Sequence, residues 1–331
     1  MATAPVKRRQ GKKPSYEGID YRVRPAKHAE RLMVVEAAGR LRFYDLPTYL
    51  YVGLGSIYFA DFKLVSRQLG ITSMINIEAV DDVARFEWNK PFNHIQMLYG
   101  TTTARLPDID WTKHSIVWLD YDGQLTEDKL LDIEYLVRTA ASGSMILLTL
   151  NVEKPSPQGM NAEVREADLV AALKDLVGAK RVRPETKAAD LRGKQARSVY
   201  YHIVNDAIEA ALEALNAVEQ DPQKHRHWRQ VMNFAYKDGA LMVTIGGVIF
   251  EARHQAAFDA GLFNTLSFYR SDESAYSLQV PLLTMKEMSH LEHSTGGSPH
   301  DCNELPFLDP EERSRYLKLH RYLPKFVSFD F

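Results

Sequence analysis

Tyr49-Leu50-Tyr51-Val52-Gly53-Leu54-Gly55-Ser56-Ile57-Tyr58-Phe59-Ala60-Asp61-Phe62 is the stretch that decides the fold of this chain. An apolar run breaks into two glycines and then opens a segment of helical spacing, the outline of a buried strand, a tight turn and a helix. About 20 residues on, a second apolar run, Ser73-Met74-Ile75-Asn76-Ile77-Glu78, ends on an acid. A βαβ unit of this form binds the adenosine end of a cofactor. Its glycines let the backbone approach the ligand, and its acid accepts hydrogen bonds from ribose hydroxyls. The dinucleotide pattern Gly-x-Gly-x-x-Gly would need a third glycine where Tyr58 stands. That absence moves the expectation from a pyrophosphate cofactor to S-adenosylmethionine.

The same rhythm continues on both sides of this stretch. Apolar runs predict strands over 48–54, 73–78, 92–99, 115–120 and 145–152, alternating with helices over 56–69, 81–88 and 127–141. Gly70 and Gly143 stand as helix stops, and Thr126 as a cap. Apolar strands that alternate with helices imply a parallel sheet covered on both faces, an α/β doubly wound, Rossmann-like fold. Upstream, helical spacing begins at Ala26, after Arg24-Pro25. Downstream, a Pro/Gly loop at 153–159 leads to helices over 162–177 and 195–217. Two β-rich runs within 227–250 flank Lys237-Asp238-Gly239, a hairpin turn signal. A last helix spans 309–322, with Pro310 in its first turn.

The chain has 331 residues, 45% of them apolar, enough for a sizeable core. A net charge of −2 offers no global attraction for a polyanion. One cysteine, Cys302, excludes an internal disulfide and fits a reducing compartment. No apolar run reaches the ~18 residues that would span a bilayer, and no secretory signal is visible, so the expectation is a soluble, cytoplasmic protein. Residues 1–16 carry clustered Lys7, Arg8, Arg9, Lys12 and Lys13. They read as a disordered basic arm, either a solvated tail or a contact for nucleic acid or an acidic partner.

Taken together, these stretches resemble S-adenosylmethionine-dependent class I methyltransferases, and more closely a bacterial group described as putative O-methyltransferases. The resemblance is carried by Asp20-Tyr21-Arg22-Val23-Arg24-Pro25-Ala26-Lys27, by Tyr51-Val52-Gly53-Leu54-Gly55-Ser56 with Phe59-Ala60-Asp61-Phe62, and by Ile77-Glu78. Arg85-Phe86, Asn89-Lys90-Pro91-Phe92, Trp118-Leu119-Asp120-Tyr121-Asp122 and Arg321-Tyr322-Leu323-Pro324 complete it. It implies a seven-strand sheet closed by an antiparallel hairpin, in a single domain over 17–331. That domain would carry an N-terminal helix, an insertion at about 153–192 that shapes the acceptor site, and a C-terminal helical extension. Carried over by position, Gly53, Gly55 and Ser56 would line the methionine and ribose end of S-adenosylmethionine. Glu78 would hold the ribose diol, residues 100–103 would lie near the adenine, and Asp120 would stand close to the reacting centre. The resembling enzymes usually carry an acid just before the glycines. Here that place reads Tyr49-Leu50-Tyr51, so contact with the methionine ammonium falls to Asp61 or Asp120.

Asp120 and Asp122 are neighbouring acids at the carboxyl end of a core strand, the edge where open α/β sheets bind ligands. Asp120 could act as general base on an oxygen or nitrogen acceptor. With Asn151 the pair could hold Mg²⁺, or Asp-x-Asp-Gly could simply be a turn. His290, His293, His300 and Cys302 are zinc-competent types in a loop-like region, at a spacing that matches no standard structural site. Tyr21, Arg22, Arg24 and Lys27 could line an acceptor pocket or contact phosphates, or be a solvated helix start. Two other functions share the βαβ unit: an NAD(P)-dependent oxidoreductase, and a non-catalytic nucleotide-binding scaffold. The acceptor class, whether small molecule, protein or RNA, is left open.

Overall fold

The computed structural model describes residues 24–80, 82–156, 165–293 and 305–324. The basic arm, Tyr21, Arg22, His300 and Cys302 lie outside the described residues. The strands are β1 (Leu50–Gly53), β2 (Ser73–Glu78), β3 (Ile95–Tyr99), β4 (Ser115–Gln124), β5 (Ser144–Asn151), β6 (Arg226–Asp238), β7 (Ala240–Glu251) and β8 (Tyr276–Ser277). They form one sheet in the order β3-β2-β1-β4-β5-β7-β6-β8. The first five strands are parallel, and β7 runs antiparallel to both β5 and β6.

The helices are α1 (Pro25–Ala38), α2 (Ala60–Leu69), α3 (Val83–Asn89), α4 (Thr102–Arg105), α5 (Glu127–Thr139), α6 (Leu169–Val177), α7 (Gly193–Asn216), α8 (Gln255–Ala260), α9 (Met285–His293) and α10 (Pro310–Leu319). Successive strand residues point to opposite faces, and the buried side chains sort accordingly. Tyr49, Tyr51, Ile116, Trp118, Met145 and Leu147 pack with α1 and α2 in one layer. Leu50, Val52, Val117, Leu119, Ile146 and Leu148 pack with α5, α6 and α7 in the other. A strand with helices on both sides favours apolar residues on both faces, which is why 145–148 reads as an unbroken apolar run. Among the described residues no helix is long and apolar enough to cross a membrane.

Several boundaries depart from the sequence reading. The helix expected from Ser56 begins only at Ala60, because residues 56–59 form a turn and Phe59 adopts a left-handed backbone, with φ 47°. Burial of the Phe59 ring against Phe62 and Phe86 offsets that strain. Asp120-Tyr121-Asp122-Gly123 is not a turn: β4 runs through it to Gln124, with a register shift against β5 between Asp120 and Gln124. The sheet has eight strands where seven were expected, since the short β8 adds in parallel to the outer edge of β6. The segment with His290 and His293, read as loop-like, is helix α9. The hairpin turn falls at Gly239, as expected.

Candidate active site

The strand order reverses at β1, whose partners are β2 on one side and β4 on the other. Open α/β sheets bind ligands in the crevice beyond the strand ends at such a switch point. Gly53, the last residue of β1, lies level with Asn76 on β2 and Trp118 on β4. Two residues further along their strands stand Glu78 and Asp120, so the topology brings both acids to the same edge as the glycines.

The glycine turn is held from beneath by Asn76, which is fully buried. Its Oδ1 accepts from the Gly55 N–H at 2.6 Å, and its Nδ2 donates to the Gly55 carbonyl at 3.5 Å. A Cβ at Gly55 would stand 2.7 Å from the Phe62 ring and 3.1 Å from Asn76 Oδ1. At Gly53 a Cβ would meet the Tyr51 ring at 3.1 Å and Asp61 Oδ2 at 3.2 Å. A side chain at Gly55 would therefore force Phe62 to shift, and one at Gly53 would press on the Tyr51–Asp61 pair. Ser56 belongs to the turn: its carbonyl accepts from Phe59 N at 2.9 Å.

Tyr51, where the resembling enzymes carry an acid, donates its hydroxyl to Asp61 Oδ2 at 2.6 Å. Asp61 thus brings a carboxylate from the first turn of α2 beside Gly53, where the helix dipole favours negative charge. Burial pushes the Tyr51 phenol well above its ordinary value, and the nearby charges of Asp61 and Asp120 add to that. Asp120 Oδ1 accepts from Lys27 Nζ of α1 at 2.7 Å. Asp61 Oδ1 and Asp120 Oδ2 have no hydrogen-bond partner among the described residues. Each carboxylate is therefore anchored through one oxygen and open at the other. Glu78 is half-buried, and burial pushes its carboxyl up to about 7, with the charge of Asp122 also raising it. Its carbonyl accepts from the Gly100 N–H at 3.0 Å, which joins the start of the 100–103 loop to the same edge.

Lys27 is only 3% exposed, so the solvated reading of the α1 start does not hold for it. The three Mg²⁺ candidates do not form a cluster. Asn151 Oδ1 accepts from Glu153 N at 2.9 Å, Asp120 takes the Lys27 ammonium, and Asp122 is exposed. Among the described residues, no group of three or more His, Cys, Asp or Glu is placed to hold a metal ion. The sequence reading missed Asn76, Glu30, the pairing of Lys27 with Asp120 and the role of Tyr51. The legible signal was at Asn76: an amide in the middle of an apolar strand needs a partner when buried. Within the insertion, Arg183, Glu185, Thr186 and Asp190 line a cleft of about 330 Å³ with Ser198 and His202 of α7.

A reversal of strand order at a glycine turn, an acid ending the next strand, and an antiparallel β7 beside β5 together define a class I, S-adenosylmethionine-dependent methyltransferase. A family model described as "Putative O-methyltransferase" matches residues 19–331, and the chain belongs to that family. No curated protein matches the sequence. Solved structures that it resembles include a putative hemolysin from Lactococcus lactis, at 9% identity, TM-score 0.41, covering 68% of this chain and 89% of that one. Another is the O-methyltransferase from Bacillus cereus in complex with SAH, at 13% identity, TM-score 0.36, covering 71% and 86%. A third is human N-acetylserotonin methyltransferase in complex with SAM, at 13% identity, TM-score 0.32, covering 67% and 55%. The assignment rests on the family match and the sheet topology.

Proposed function

We propose that this protein transfers the sulfonium methyl of S-adenosylmethionine to an oxygen nucleophile, at the switch point beside Gly53. The observation that carries the residue assignment is that Asp61 stands beside Gly53 and Asp120 two residues beyond its neighbour on β4, both near the Tyr51 phenol and each with one open oxygen. S-adenosylmethionine supplies an electrophilic methyl group on a positively charged sulfur. The donor set suits it: Glu78 would accept from the ribose hydroxyls, Gly53, Gly55 and Ser56 would form the turn beneath it, and residues 100–103 would lie near its adenine. Asp61 and Asp120 would offer their open oxygens to the amino group of its methionine end, in place of the acid that β1 lacks. Asp120 would also be the base that takes the proton of an acceptor hydroxyl. Most of the rate would come from holding the two partners in line, a term worth up to ~7–11 kcal/mol.

The acceptor is a small molecule, a protein or an RNA, and we assign its selection to the insertion at 153–192 and the cleft it lines with α7. Lys27, not Mg²⁺, supplies the cationic partner of Asp120 in this proposal. We read 17–331 as one domain in a cytoplasmic protein, a reading that the single cysteine supports. Calorimetry with S-adenosylhomocysteine and NAD tests the function. S-adenosylhomocysteine should bind, NAD should not, and either ligand carried through purification should appear by mass spectrometry. NAD binding without S-adenosylhomocysteine binding would overturn the reading.

A further inference from the structure

Helix α1 buries three charged side chains, Lys27, Glu30 and Arg31, on the face it turns to the sheet. Buried charge destabilises a fold unless it is paired, and apolar residues would cover the sheet equally well. The pairing here has a definite direction. The Trp118 indole, which can only donate, gives its Nε1–H to Thr149 Oγ1 at 2.9 Å. The Thr149 and Thr244 hydroxyls lie 2.8 Å apart, and Thr244 donates to Glu30 Oε1. Each threonine therefore accepts one hydrogen bond and passes one on, so the chain of donors runs from β4 through β5 and β7 to Glu30.

Glu30 receives two more, from the Tyr236 hydroxyl at 3.1 Å and from Lys27 Nζ at 2.6 Å. Burial pushes the Glu30 carboxyl up, but every partner it has here is a donor, which is the surrounding of a carboxylate. Lys27 in turn lies 4.6 Å above the Trp118 ring and reaches Asp120 Oδ1 at 2.7 Å. Trp118 and Asp120 are two residues apart on β4, hence on the same face, so both ends of the circuit sit on one strand.

We propose that Lys27 is a positioning residue: anchored by Glu30, its ammonium fixes Oδ1 of Asp120 and so presents Oδ2 to the amino group at the methionine end of the cofactor. This rests on the cofactor reading above and extends it to α1, an element outside the βαβ unit. Asp120 is 25% exposed, and without Lys27 its carboxylate would be free to turn to water. The role concerns the amino-acid end of the ligand, because Lys27 acts on the site through Asp120.

The test compares wild type, Lys27→Met and the double variant Lys27→Met/Glu30→Gln, by thermal melting and by calorimetry with S-adenosylhomocysteine and with adenosine. Lys27→Met alone should melt lower, since it leaves the buried Glu30 carboxylate without its cation. The double variant should regain most of that loss. S-adenosylhomocysteine should bind at least tenfold more weakly to the double variant, while adenosine, which lacks the amino-acid end, should bind within twofold of wild type. Equal losses for both ligands, or unchanged S-adenosylhomocysteine affinity, would overturn the positioning role alone. Wild-type protein that binds no S-adenosylhomocysteine would overturn the cofactor reading, and this inference with it.

Discussion

Replacing Asn76 by alanine removes the one side chain that accepts from the Gly55 N–H within the glycine turn. Asn76 is fully buried on β2, so its loss opens no route for water to the freed amide. A buried backbone donor left without a partner costs about 1–3 kcal/mol, and the Gly55 carbonyl loses its weaker contact as well. Melting shifts by roughly 2–4 °C per kcal/mol in domains of 150–250 residues, and by less in longer chains, so a fall of a few degrees is expected. The turn has a way to relax: residues 54–58 can rotate Gly55 toward solvent. That would move the backbone on which the cofactor is proposed to rest, so S-adenosylhomocysteine affinity should fall at least tenfold, about 1.4 kcal/mol. Differential scanning fluorimetry and calorimetry on the same preparation read both effects. A variant with wild-type melting and wild-type affinity would refute the argument that the turn is pinned from β2.

Four further outcomes follow from the geometry. Gly55→Ala drives a Cβ to 2.7 Å from the Phe62 ring, and should cost about 1–3 kcal/mol by overpacking, read by urea unfolding. Glu78, with its carboxyl raised to about 7 by burial, must ionise to accept from both ribose hydroxyls, so S-adenosylhomocysteine affinity should weaken as pH falls through 7. The stability sign is opposite. A raised carboxyl pKa gives stability that is complete below its unfolded value and lost as pH rises through 7, so Glu78→Gln should melt higher than wild type at pH 8, bind more weakly, and lose the pH dependence. Burial lowers the Lys129 ammonium to about 8, so after reductive ¹³C-methylation a resonance should titrate near that pH, and should be missing from Lys129→Arg. Tyr51→Phe deprives Asp61 Oδ2 of its donor and should weaken S-adenosylhomocysteine several-fold with little change in melting; unchanged affinity would remove Asp61 from the site.

The edge proposed to face the ribose was open to reading because its parts are local. Gly53, Gly55 and Glu78 belong to one βαβ unit, and the spacing of strand, turn and strand carries their relation. The end proposed to face the methionine group was not, because its parts come from distant segments. Lys27 lies 93 residues from Asp120, and Glu30 lies 214 residues from Thr244. Helical spacing at Leu32, Val35 and Ala38 marked the α1 segment as amphipathic, yet the charged residues at its start are buried too, because the opposing face of the sheet is polar at Thr149, Thr244 and Asp120. Nothing in the α1 sequence signals which strands it will meet.

The sequence by itself determined the layered α/β fold, the glycine turn after β1 and the hairpin around Gly239, since each follows from periodicity and turn chemistry within a few tens of residues. Only the tertiary structure decided how the two carboxylates nearest the glycine turn are held. A tyrosine on β1 fastens a carboxylate carried by α2, and a lysine on α1 fastens one carried by β4. The physical reason is range. Backbone patterning is read from neighbours, whereas buried charges are satisfied by whichever groups the completed packing brings within hydrogen-bond distance.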